Sequence, residues 1–494
     1  MIEGFTGGLS ILFSWPTIAF MIIGSILGLV FGLLPGLQGS LALATLIPVT
    51  FGMDMNQAVP LLIGAWGASE GSATAILFNI PGESENAATL FDGHPLAQQG
   101  RAGEALGAAG FSSLCGVLLA ILIFITILPI MRPVVLAFGP PEFCLLAILG
   151  LCTIAVISKG SIIKGLFVMS IGMMLSFHGT NPITGGTRYT FGSMYLWEGI
   201  PLLPALIGLF GLAECIKLLS QKSTIVRSNI LVKGGVLKGI AAVIKNWKCW
   251  LLGASIGTLV GAIPGIGGSV SSYLAYSSAV TITGRGEQFG NGNIKGVIAP
   301  EAANNAKDGG ALMPALILGI PGSVATAILI TALILHGIYP GRELITKHID
   351  IVFLILQCLA FSNIVSQSFV MFAGKYLARL TITPPYILVP IISTTCLVGS
   401  YTVRQNMIDV GMAGLFCLLG YFLDKYNFPK IGILMGLILT PLAERSFHTS
   451  LQIAEGDYSI FITRPGSVIL ILLILTALFF PVVLKVYKKI KKTS

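Results

Sequence analysis

The sequence predicts an all-α polytopic membrane protein made of two internal repeats with broken helices. Three observations predict it. Only 10% of the 494 residues are charged and 54% are hydrophobic, with a mean hydropathy of +0.90. Apolar stretches near the roughly 20-residue spanning length recur from end to end. Pro-Gly pairs interrupt four of those stretches at matching places in the two halves. A soluble domain carries about 25% charged residues, and a chain this poor in them cannot dress its surface for water.

The apolar stretches run over 16–34, 58–80, 106–131, 134–157, 161–177, 201–219, 250–283, 309–337, 350–373, 384–400, 408–424 and 465–484. Internal Pro and Gly blur the count, which stands at about ten to fourteen membrane segments. No sizeable soluble domain fits between them. The segment from Asp92 to Arg101, with Gly93, His94, Pro95 and Gly100, is rich in turn formers and reads as an exposed loop. Within it His94 reads as a solvated side chain, and Arg101 and Glu104 face water. The start, Met1-Ile2-Glu3-Gly4, has no basic region ahead of the first apolar block, so that block is expected to be a retained helix.

The net charge of +9 comes mainly from two clusters. Lys217, Lys222, Arg227, Lys233, Lys238, Lys245 and Lys248 form the first, and Lys485, Lys488, Lys489, Lys491 and Lys492 the second. Neither forms a folded basic face, which excludes a nucleic-acid partner. By the positive-inside rule both face the cytoplasm. The eight cysteines show no CxxC spacing and read as buried thiols, with no metal site and no cofactor. No GxxxxGK[ST] loop is present, and no nucleophile–base pair stands at useful spacing, so the chain is expected to be neither ATP-driven nor an enzyme.

Self-similarity is visible directly. Gly24, Gly28, Gly32, Pro35, Gly36, Gly39 and Ser40 coincide with Gly253, Gly257, Gly261, Pro264, Gly265, Gly268 and Ser269 at one constant offset of 229. Asn79-Ile80-Pro81-Gly82 then matches Gly319-Ile320-Pro321-Gly322 at an offset of 240. The expected organisation is a first membrane repeat at 1–216, a basic cytoplasmic linker at 217–248, a second repeat at 249–464, and a final helix with a basic tail at 465–494. The charge-poor start of the first copy and the basic approach to the second imply opposite insertion, an inverted repeat.

Pro removes a backbone donor and Gly permits positive φ, so Pro-Gly ends a helix abruptly. Freed amides are tolerable at membrane depth only where protein or a wet cavity surrounds them. Half-helix N-termini there suit a carboxylate ligand. The substrate-binding candidates are therefore Pro35, Gly36, Gln38, Gly39 and Ser40; Asn79, Pro81, Gly82 and Ser84; Pro264, Gly265, Gly268 and Ser269; and Asn304, Asn305, Pro321, Gly322, Ser323 and Thr326. The glycines spaced by four before the first and third breaks read instead as close helix packing. Acids at membrane depth are costly and mark function, which makes Glu70, Glu301 and Asp308 ion-coupling candidates. The coupling ion is H+ or Na+.

At these residues the chain resembles the large membrane subunit of the tripartite tricarboxylate transporters. The resemblance is carried by Gly32-Leu-Leu-Pro-Gly36, Ile76-Leu-Phe-Asn-Ile-Pro-Gly82, Asp92-Gly-His-Pro-Leu-Ala-Gln-Gln-Gly-Arg101, Ala262-Ile-Pro-Gly-Ile-Gly267, Phe289-Gly-Asn-Gly292, Gly296-Val-Ile-Ala-Pro-Glu-Ala-Ala-Asn-Asn305, Leu318-Gly-Ile-Pro-Gly322 and His336-Gly-Ile-Tyr-Pro-Gly341. It implies a bacterial inner-membrane importer powered by an ion gradient. The implied partners are a small membrane subunit, an extracytoplasmic solute-binding protein, a small carboxylate solute and membrane lipid, with a homodimer left open. The alternatives are a carboxylate-selective channel and a transporter independent of a binding protein. The chain departs from the family pattern at Ser69-Glu70-Gly71, where members typically carry Tyr-Gly-Gly, and at Glu83-Ser84-Glu85, where small neutral residues are usual. Added negative charge there would repel a trianion. Either these acids hold cations or protons, or the solute carries less charge than citrate.

Overall fold

The computed structural model describes residues 2–34, 37–157, 162–181, 183–220, 235–263, 268–283, 288–380, 385–402 and 404–476. They are almost entirely helical; the described strands are Gly179–Thr180 and Thr187–Arg188, paired antiparallel. The chain forms two compact units, one of residues 1–130 and 210–406 and the other of 131–209 and 407–494.

The larger unit is built from helix pairs whose backbones touch. Thr17–Leu33 lies on Met55–Gly67 so closely that a Cβ at Gly24, Gly28 or Gly32 would collide with the backbone of Leu61, Ala65 or Ser69–Glu70. Trp247–Ala262 lies on Lys295–Leu318 in the same way, Gly253, Gly257 and Gly261 meeting Ala299, Ala303 and Lys307. These glycines are therefore packing residues, as their four-residue spacing predicts. In both pairs three glycines spaced by four meet partner residues also spaced by four, 61, 65 and 69 in one and 299, 303 and 307 in the other.

The outward faces are apolar. Thr17–Leu33 buries Gly24, Ser25, Gly28 and Gly32 while leaving Ile22, Ile23 and Ile26 exposed, and Trp247–Ala262 exposes Leu259. Small residues inside and branched aliphatics outside suit a helix surrounded by lipid, where burying apolar side chains against protein gains little.

Among the described residues five helical stretches are long and apolar enough to cross a membrane: Met55–Phe78, Leu90–Ala137, Leu202–Leu219, Ile349–Ala373 and Met407–Lys425. Ile2–Leu12 and Thr17–Leu33, bent by 76°, add a sixth if taken as one span. Shorter apolar helices among the described residues are Gly39–Thr50, Pro140–Cys152, Ile163–Ser176, Val324–Leu335 and Pro465–Thr476; Gly39–Thr50 and Val324–Leu335 each follow a Pro-Gly break and are shorter than a bilayer.

In the smaller unit, Pro140–Ile157 and Ile162–Ser176 pack against Ile431–Ile453, with Gly172 against the backbone of Ile433. Its turns are tied by ion pairs. Arg188 grips Glu444 through both terminal nitrogens (2.5 and 3.1 Å), and this bond holds the guanidinium above its usual range. Arg464 and Ser467 donate to Glu142 at 2.7 and 2.8 Å.

Candidate functional site

The site lies within the larger unit, where the four breaks fall. Pro35, Gly36, Pro264 and Gly265 lie outside the described residues. The helices that follow them are described: Gly39–Thr50 begins after the first break and Gly268–Thr283 after the third. Gln38 precedes the former in extended conformation and provides no side-chain cap.

The second and fourth breaks share one geometry. Asn79 (φ 57°) and Gly319 (φ 73°) are both left-handed C-caps, their N–H groups bonded to Ala75 O and Pro314 O. Gly and Asn are the residues that accept this conformation most readily, so Asn79 is accounted for as a cap, with its side chain exposed. A Cβ at Gly82 would meet Gly71 and the Gly32 carbonyl, and one at Gly322 would meet Ala311 and the Gly261 carbonyl. Ser323 and Thr326 cap the helix Val324–Leu335 reciprocally, Thr326 Oγ1 accepting from the Ser323 N–H (2.8 Å) and Ser323 Oγ from the Thr326 N–H (3.2 Å).

Past Pro81-Gly82 the chain runs through Glu83-Ser84-Glu85, and both acids reach helix N-termini. Glu83 Oε1 accepts from the Gly39 N–H (2.9 Å), the first amide of Gly39–Thr50, and from Ser69 Oγ (2.6 Å). Glu85 lies against Gly268, the first residue of Gly268–Thr283, where an added Cβ would collide with its carboxylate. Lys307 pairs with Glu85 and, at 3.0 Å, with Asp308. Ser84, between the two acids, is exposed. Ser269 is buried beside Gly268, and Ser271 Oγ turns back to the Gly268 carbonyl at 2.7 Å. Residues of the first, second and third breaks thus converge on one short segment.

Beneath it, Glu70 is 2% exposed and its Oε1 accepts from Asn305 Nδ2 (2.7 Å) and from Gln367 Nε2. Asn305 donates its other amide hydrogen to Asn363 Oδ1 at 2.6 Å. Glu301, fully buried, accepts from Asn86 Nδ2 (3.2 Å), Thr89 Oγ1 (2.5 Å) and Ser113 Oγ (3.2 Å), so both its oxygens have donors. Asn304, one turn after it, is buried.

The structure corrects the reading of Asp92–Arg101 as an exposed loop: the stretch is helical and its first half is buried or half-buried, while Gln98, Gln99, Gly100 and Arg101 are exposed. Asp92 is fully buried on the helix Leu90–Leu96, and its Oδ1 accepts from the N–H groups of Gly290, Gly292 and Asn293 at 2.8, 2.9 and 2.7 Å. Tyr276 OH donates to its other oxygen at 2.9 Å. The turn formers lie in a helical run kinked at Gly100 (φ 77°), and the carboxylate finds four donors inside the protein and needs no water. His94 is half-buried, bonded through Nδ1 to Ile76 O at 3.0 Å.

Ser69, Asn86, Thr89, Asn363 and Gln367 were missed from sequence. Asn363 and Gln367 carried a usable signal, since amides inside the apolar stretch 350–373 are expensive unless they have partners within the protein.

An all-helical, multi-pass chain whose broken helices turn polar groups inward belongs to the class of membrane transport proteins. More narrowly, the chain belongs to the tripartite tricarboxylate transporter TctA family, whose model it matches over residues 18–435. The family is a transporter family whose members are the large membrane subunit of a tripartite system. It is 33% identical over 457 residues, 91% of this chain and 89% of the other, to an Agrobacterium vitis protein described as an uncharacterized 52.8 kDa protein in the TAR-I ttuC' 3' region. A second A. vitis protein, from the TAR-II ttuC' 3' region, is 32% identical over 210 residues, 42% of this chain and 86% of the other. No solved structure matches.

Proposed function

We propose that the protein imports a small carboxylate by ion-coupled alternating access, the solute being delivered by an extracytoplasmic binding protein and the small membrane subunit completing the complex. One observation supports this most. The N-termini of Gly39–Thr50 and Gly268–Thr283 are each faced by a carboxylate of the segment Glu83-Ser84-Glu85. Helix N-termini favour anions through their unpaired amides and the positive end of the dipole. Two carboxylates two residues apart stand where the two ends of a small dicarboxylate would go, and a solute displacing them would be of that size rather than a trianion. In this reading Lys307, released from Glu85, becomes a counter-charge for the solute.

The repeats are inverted, the complex resides in a bacterial inner membrane, and the basic linker and C-terminus face the cytoplasm. The test is uptake by vesicles containing both membrane subunits, supplied with the binding protein and an imposed sodium or proton gradient. Labelled succinate and citrate are the probes. Gradient-dependent, saturable accumulation is expected, strongest for the dicarboxylate; a current that never saturates with solute would indicate a channel, and accumulation without the binding protein would remove that partner from the cycle.

A further inference from the structure

Among the described residues nine buried side-chain polar atoms have no hydrogen-bond partner, and four of them belong to one place. These are Glu70 Oε2, Ser72 Oγ, Asn86 Oδ1 and Gln367 Oε1. All four border the non-helical turn at 68–71 that separates Met55–Gly67 from Ser72–Phe78. Gln367 is bonded to Glu70, Ser72 follows the turn directly, and a Cβ on Gly71 would stand 2.5 Å from Asn86 Oδ1.

The orientation of the amides explains why oxygens are left over. Asn86 spends its amide nitrogen on Glu301, which turns Oδ1 toward Gly71. Gln367 spends its nitrogen on Glu70 Oε1, and Asn305 spends both amide hydrogens, on Glu70 and Asn363. These amide donors are consumed on one side of the cluster, and an acceptor surface of four oxygens, one of them a carboxylate oxygen, remains. Lys307, the ammonium nearest in sequence to Asn305, is committed to Glu85 and Asp308.

Buried acceptors without donors are costly, and a native structure that collects them has something to fill them. A proton on Glu70 with water on the other oxygens is the competing filling, and it would respond to no particular alkali cation. Oxygen ligands suit hard cations, and divalent ions of that kind favour several carboxylates or retained water. One carboxylate with three neutral oxygens matches a dehydrated monovalent cation instead.

We propose that Glu70, Ser72, Asn86 and Gln367 form a binding site for a sodium-sized monovalent cation. The site itself stands on the geometry alone; its role as the coupling site rests on the transport reading above. Because Gly71 packs against Gly82, an ion here would stiffen the turn that supports the Pro81-Gly82 break.

The full-length protein is purified in detergent without carboxylates, and its thermal unfolding is followed in sodium, potassium and choline chloride at matched ionic strength. Saturable stabilisation by sodium alone is expected. Glu70→Gln should abolish it, and Ser72→Ala and Asn86→Ala should each raise the half-saturating sodium concentration about tenfold or more. Equal midpoints in the three salts, as buried water alone would give, overturn the site, as does a sodium response that these variants leave unchanged. If Glu70→Gln does not fold, the Ser72 and Asn86 variants decide. Solute uptake under a proton gradient without sodium stabilisation would sink the cation site and leave the transport reading standing. Sodium-specific stabilisation without uptake of succinate or citrate would do the reverse.

Discussion

Replacing Glu83 by Gln tests the idea that this acid stands in for a solute carboxylate. The change preserves volume and an oxygen that can accept from the Gly39 N–H and Ser69 Oγ, and it removes the charge. An anion at the N-terminus of a helix such as the 12-residue Gly39–Thr50 is worth about 0.3–1 kcal/mol, and up to about 2 kcal/mol when partly buried. A solute that must displace Glu83 forfeits that energy. At tenfold per 1.4 kcal/mol, Glu83→Gln should therefore lower the half-saturating concentration of succinate by about two- to thirty-fold. The assay is initial uptake rate against succinate concentration in vesicles, with the maximal rate recorded separately. An unchanged or increased half-saturating concentration would show that Glu83 does not compete with the solute.

The glycine stripe gives a prediction of sign. A Cβ at Gly257 would sit 2.7 Å from Ala303 Cα, about 1 Å inside a comfortable carbon–carbon contact, so Gly257→Ala should destabilise the protein by about 1–3 kcal/mol despite better helix propensity. Gly411→Ala, where nothing lies within 4 Å, should be neutral or stabilising by up to about 1 kcal/mol in the same thermal assay. Asp92→Asn puts an amide in place of a carboxylate bonded to three backbone N–H groups and should cost about 2–5 kcal/mol, seen as faster hydrogen exchange at Gly290–Asn293. Asn305→Ala removes the link between Glu70 and Asn363 and should abolish uptake while thermal unfolding stays cooperative; normal uptake would place the transport site elsewhere.

Helix type and the close-packed glycine faces were legible because each is a periodic property. Gly24, Gly28 and Gly32 announce a close-packed face by spacing alone, and the structure places a neighbouring backbone against each. The polar interior was legible only in part. Glu70 and Asn305 stood out as polar residues in apolar or repeated surroundings, whereas Asn86 and Gln367 reach the same place from segments remote in sequence. Asn79 shows the opposite difficulty, since its amide suggested a ligand while a backbone demand for positive φ explains the residue. Asp92 misled because turn-forming composition reports how the chain bends and carries no information about what the bend is pressed against.

Asp92 also constrains which parts can part company. It clasps Gly290, Gly292 and Asn293 from the helix that follows the second break, just ahead of Lys295–Leu318, which carries Asn305 and Lys307. Prising that clasp open would strip four donors, the three N–H groups and Tyr276 OH, from one buried carboxylate at a stroke. The helix Leu90–Leu96 and the turn ahead of Lys295–Leu318 are riveted together at this corner, and in the alternating-access cycle proposed above the two would travel as one piece.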